Sequence, residues 1–88
     1  MEVIYKYPLK FVNYQFISLP VNHKFLKIDN QNDVVTLWAL VETENVYATH
    51  SIFMYFTGEE LTCNTDECKY LGTVQVAELV WHAFSPTL

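Results

Sequence analysis

The stretch VVTLWALVET, residues 34–43, decides how the fold is read. Split by the two-residue period of an extended chain, Val34, Thr36, Trp38 and Leu40 fall on one side and Val35, Leu37, Ala39 and Val41 on the other. Both sides are apolar, whereas a strand in a small antiparallel sheet ordinarily hides one face and wets the other. The segment Ser51–Phe56 repeats the pattern, with Ile52, Met54 and Phe56 against Phe53 and Tyr55. Two such strands in one short chain predict a second covered face, and another copy of the same chain is the expected cover. At least a dimer is expected, with Trp38 buried.

Working outward, β-branched and aromatic residues run throughout, and no long stretch keeps apolar residues at helical spacing. Strands are expected at Glu2–Tyr7, stopped by Pro8, and at Tyr14–Leu19, stopped by Pro20. Phe25–Ile28, the polar connection DNQND and Val34–Val41 read as a hairpin. After a turn at Glu42–Asn45, a long strand runs from Val46 to Thr57 and closes at Gly58. The acidic segment from Glu59 to Lys69 reads as a loop or one short helical turn. Strands at Thr73–Val76 and Leu79–Phe84 follow, joined through VAEL by a tight turn or bulge; a short helix over Val76–His82 is the alternative. The expected fold is all-β or mostly β: one antiparallel domain over residues 1–88, a small sandwich or barrel with at most one short helix.

Composition narrows the chemistry. At 88 residues there is room for one core, and no apolar run approaches the roughly 18 to 20 residues of a membrane-spanning helix. The start, MEVIYKYPLK, lacks the basic region and apolar block of a signal peptide, so a cytoplasmic protein is expected. Ten carboxylates against five lysines give a net charge of −5, and arginine is absent. Arginine supplies the planar fork for guanine and phosphate recognition, and a negative field opposes a polyanionic duplex. Double-stranded nucleic acid is therefore not an expected partner, and neither is a membrane.

Several quoted segments form a pattern: YPL at Tyr7–Leu9, Gln15 followed by Leu19 and Pro20, L-x-I-x-x-Q at Leu26–Gln31, and LWALV at Leu37–Val41. It continues through TG at Thr57–Gly58, YLGTVQ at Tyr70–Gln75 and VWHAF at Val80–Phe84. Along nearly its whole length the chain resembles a family of small phage and prophage proteins of unknown function. The resemblance implies a phage origin and a compact β-rich fold, and it implies no activity. The cysteine-containing acidic loop, Glu59–Lys69, departs from the pattern.

Catalytic constellations are missing from the text. Cys63 and Cys68 have no second ligand pair at metal-site spacing, so free thiols are expected and no metal or other cofactor. His23, His50 and His82 have no serine, cysteine and carboxylate set around them. Glu59 and Glu60 are adjacent and diverge in extended chain, unlike carboxyls that converge on a substrate. Gly58 and Gly72, the only glycines, make no phosphate loop. What remains is an abundance of aromatic faces and side-chain amides. That combination suits stacking on, and reading the edges of, a nucleotide-like molecule.

The expected function is therefore non-enzymatic: a counter-defence protein that sequesters a nucleotide-derived immune signal. Trp81 is assigned to stacking, His82 to a polar contact, Gln31 to a base edge and Lys24 to phosphate. The alternative is an acidic inhibitor whose loop Glu59–Glu67 occupies a basic cleft on a host protein. The two diverge on where the charge lies, since the first needs lysines and aromatics to converge.

Overall fold

The computed structural model describes residues 1–87. In chain order its strands are β1 (Glu2–Pro8), β2 (Tyr14–Pro20), β3 (Lys24–Gln31), β4 (Val34–Glu42), β5 (Tyr47–Phe56), β6 (Cys68–Val76) and β7 (Leu79–Pro86). They form a three-stranded sheet of order β1-β4-β3 and a four-stranded sheet of order β2-β5-β7-β6. Every pairing is antiparallel, as expected for an all-β chain. The acidic loop contains a single 3-10 turn, Thr65–Glu67, begun by Asn64, whose side chain accepts a bond from the Asp66 amide.

Turn chemistry explains the connections. Between β3 and β4 the expected five-residue connection shrinks to Asn32 and Asp33, at φ of 53° and 64°. Two consecutive left-handed residues make the kind of turn whose twist matches the strands it joins, so Asp29, Asn30 and Gln31 join the strand. In VAEL, Ala77 takes a φ of 54° and the strands pair directly from Val76 and Leu79. The hairpin displaces the alternative helix over Val76–His82, because the pairing satisfies the backbone groups of both strands.

The sheets pack their inner faces together. Val35, Leu37, Ile52, Met54, Val74, Val76, Trp81 and Ala83 form the main core, with Leu9 closing one side. Leu19, Ala39 and Val41 form a smaller cluster against Val3, Tyr7, Ile17 and Phe25. Gly72 lets β6 approach β3, since a Cβ there would stand 2.5 Å from Ile28 Cγ2.

Two expectations about this core need correction. Trp38 is only half-buried, on the outer face of β4, while Trp81 is 7% exposed inside. The inner set Val35, Leu37, Ala39 and Val41 is wholly apolar, whereas Trp38 shares its side with Thr36 and Glu42, so this phase places the purer set in the core. The second face of β5 is partly covered from within the chain: Tyr55 is buried, with its hydroxyl 3.0 Å from Thr62 Oγ1 of the following loop. Among the described residues no helix is long and apolar enough to cross a membrane.

Candidate functional site

The outer face of the three-stranded sheet is organised around Trp38. Lys6 of β1 and Lys27 of β3 are its register partners on either side, and Leu40 lies likewise between Ile4 and Lys24. Cross-strand partners on one face stand about 5 Å apart at Cβ, so the indole lies between two ammonium-bearing side chains. A bulge between Phe25 and Lys27 makes this arrangement. Residues three apart in a regular strand point to opposite faces, but the inserted residue lets Lys24 and Lys27 share one. Three of the five lysines thus gather on this face.

Polar groups there keep bonding capacity. Lys6 Nζ donates to Gln31 Oε1 at 2.8 Å, which anchors the amide. Lys27 Nζ lies 3.1 Å from Asp29 Oδ2, with both side chains more than half exposed. A bond from the Asn30 amide, and then Lys27, hold the Asp29 carboxyl below its usual range. Exposed pairs of this kind contribute about 0–1 kcal/mol, so an incoming anion can compete for Lys27.

The outer face of the four-stranded sheet differs. Tyr14, Phe53, Phe84 and Tyr70 are successive register partners across all four strands. Ring centroids lie 5.3 Å apart for Tyr14–Phe53 and 5.6 Å for Tyr70–Phe84. Beside this row, His82 Nδ1 lies 2.9 Å from Thr73 Oγ1 and His82 Nε2 lies 2.6 Å from Thr57 Oγ1. The Tyr70 hydroxyl bonds Thr73 in turn. A second bulge, between Tyr70 and Gly72, turns Tyr70 and Thr73 to the same face. TG, YLGTVQ and VWHAF, distant in sequence, therefore meet in one chain of hydrogen bonds. Hydroxyls orient both imidazole nitrogens, an arrangement that holds the ring still.

The four residues assigned from sequence do not form one site. Lys24 and Gln31 share the Trp38 face, and His82 lies on the opposite face. Trp81 is withdrawn as an exposed platform: it is buried against Phe11 and Phe56, with ring centroids 5.5 and 5.9 Å away. Sequence reasoning missed Lys6, Trp38 and Lys27, whose proximity depends on register and a bulge. Other amides serve the fold. Gln15 accepts from the Lys10 amide and donates to the Lys10 carbonyl, at 2.9 and 2.8 Å; Asn13 donates to the Met54 carbonyl and to Glu59.

The remaining reactive groups are dispersed. Cys63 and Cys68 are free and half-buried, and burial, then the neighbouring Cys63 thiol, push the Cys68 thiol up. His23, His50 and Phe25 stack on one another at 4.8 to 5.2 Å. The His50 Nε2 atom is buried without a hydrogen-bond partner, and burial, then His23, lower its pKa. No cluster of three or more metal-ligating side chains occurs among the described residues.

No curated protein and no solved structure matches this chain. A family model does, over residues 1–88, and the chain belongs to that family, a domain of unknown function designated DUF7352.

Proposed function

We propose that this protein is a non-enzymatic binding module that captures a small nucleotide-like molecule and holds it unaltered. The setting we propose is phage counter-defence in the host cytoplasm, where the protein withdraws a nucleotide-derived immune signal. The observation that carries the binding reading is the register Lys6–Trp38–Lys27. An indole offers a π face for a base, the flanking ammonium groups suit phosphate, and the anchored Gln31 amide supplies a polar edge. The phage setting rests on the sequence resemblance.

Assembly belongs to the same proposal. An open sheet face encloses a ligand poorly, and Ile4, Tyr14, Phe16 and Tyr70 are exposed. Pairing of two copies would cover such residues at about 25 cal/mol per Å² of apolar surface removed from water. Sedimentation at micromolar concentration should give a dimer or larger species; a clean monomer contradicts the oligomer.

Calorimetry against cyclic oligonucleotides and adenosine diphosphate ribose derivatives, with recovered ligand checked by mass, tests the function. Stacking on an aromatic contributes about 1–3 kcal/mol, so Trp38→Ala should weaken capture by one to two orders of magnitude. The acidic-inhibitor reading has its own observation: Glu60, Asp66 and Glu67 are exposed on one loop. If no panel member binds more tightly than about 10 μM and a host protein instead co-purifies through that loop, the inhibitor reading replaces capture.

A further inference from the structure

We infer that the seam where β3 lies against β6 is a phosphate subsite, continuous with the Trp38 face. The inference rests on the capture reading and specifies its ligand as a phosphorylated nucleotide rather than a bare base or nucleoside. Lys27 joins the two regions, because it is the register partner of Trp38 and also lines the seam. On the far side, Lys69 and Tyr70 of β6 line the same cleft.

Both bulges open into this cleft. The ladder of β3 skips Leu26 and that of β6 skips Leu71, and both residues line the cleft. A bulge leaves its extra residue outside the regular pairing, so each wall of the cleft carries a break in its ladder. At about 80 Å³ the cleft is far below the roughly 300 Å³ or more of a pocket for a drug-sized ligand. It suits one small group.

Charge and reach fit that group. Two lysines border the cleft in a chain with a net charge of −5. Asp29 is the carboxylate paired with Lys27, and that pair is exposed enough to yield to a doubly charged anion. Glu67 lies two residues before Lys69 and is exposed. Adjacent strands are about 5 Å apart, so a base over Trp38 has its sugar above β3 and its phosphate at the seam. A nucleotide spans that distance, and a nucleoside stops short.

Amide-resolved NMR titration of the whole protein at low ionic strength provides the test, with sodium pyrophosphate, adenosine and ADP as separate probes. Pyrophosphate should give saturable shifts at Leu26, Lys27 and Lys69–Leu71; adenosine should shift the Trp38 indole; ADP should do both and bind more tightly than adenosine. Lys69 brings one solvent-bordering charge to the anion. Lys69→Gln should therefore weaken pyrophosphate and ADP by about two- to tenfold, leaving adenosine and the remaining spectrum unchanged. Pyrophosphate shifts spread over all lysines without saturation, or an ADP affinity indifferent to Lys69→Gln, would overturn the subsite. Saturation at the seam with no response of Trp38 to adenosine or ADP would retain the phosphate subsite and reject the base-stacking reading.

Discussion

The two outer faces of the sandwich are built by the same device and differ in what it leaves free. Each contains one bulge that turns two residues three apart in sequence to the same side: Lys24 and Lys27 on one sheet, Tyr70 and Thr73 on the other. On the three-stranded sheet the gathered groups are flexible, solvated ammoniums beside a half-buried indole. On the four-stranded sheet they are hydroxyls and an imidazole already bonded to one another. A mutually satisfied network rigidifies its surroundings, whereas exposed charges with weak internal partners remain open to a ligand. Unspent bonding capacity therefore separates the two faces, and it is this difference that the proposed capture draws on.

The largest test of this contrast exchanges the roles of the tryptophans. Trp81→Ala should cost about 3–5 kcal/mol of stability, the usual loss for a large aromatic in a core, seen as a large fall in denaturant midpoint. Trp38→Ala should cost much less stability and act on ligand binding instead. In single-tryptophan variants, Trp81 fluorescence should be blue-shifted and shielded from a soluble quencher, and that of Trp38 accessible. Equal quenching of the two would erase the distinction.

Next in size is Gly72→Ala. Its Cβ would collide with Ile28 Cγ2, a branched side chain held in the core, and overpacking of this kind costs roughly 1–3 kcal/mol. Thermal unfolding should shift down, and NMR shifts should concentrate at the seam and around Thr73. Unchanged stability would mean that the close approach of β6 to β3 is relaxed in solution.

Thr73→Val removes the middle of the hydroxyl chain while keeping side-chain shape. Loss of its two exposed hydrogen bonds, to Tyr70 and to His82, should cost about 1–2 kcal/mol and leave ligand affinity unaltered. A large loss of affinity at unchanged stability would move the binding site to the His82 face.

The smallest effect is the response to acid. The folded-state pKa of His50 is lowered by burial and then by His23, so in this range the unfolded chain takes up protons more readily than the folded one. Stability from the neutral ring is complete above the usual histidine value of about 6.5 and declines as pH falls from there to the lower folded value. Between pH 8 and 5, His50→Phe should flatten the fall in unfolding midpoint. Asp29 and Glu42, whose pKa values are also lowered, lose protonation-linked stability below the usual carboxylate range, outside this window. An identical slope in the variant would assign the acid response to other groups.

Local residue types determined most of the strand pattern. Alternating β-branched and aromatic residues, Pro8 and Pro20 at strand ends, and Asn32–Asp33 in a turn carry physical preferences that need no distant partner. Lys24 and Gln31 were legible as binding candidates for the same reason, because their chemistry belongs to the residue. The face that each residue occupies was another matter. When both sides of a strand are apolar, a period of two fixes which residues travel together without fixing which set goes inside. Trp38 was thus expected in the core, and Trp81 on the surface. Only packing of the complete sheets selected the phase, placing Val35 and Leu37 with Ile52 and Met54, and Ala39 and Val41 with Leu19. The bulges after Phe25 and Tyr70 then changed the alternation within single strands. Their positions answer to partners far along the chain, so tertiary structure alone brought Lys6, Trp38 and Lys27 side by side.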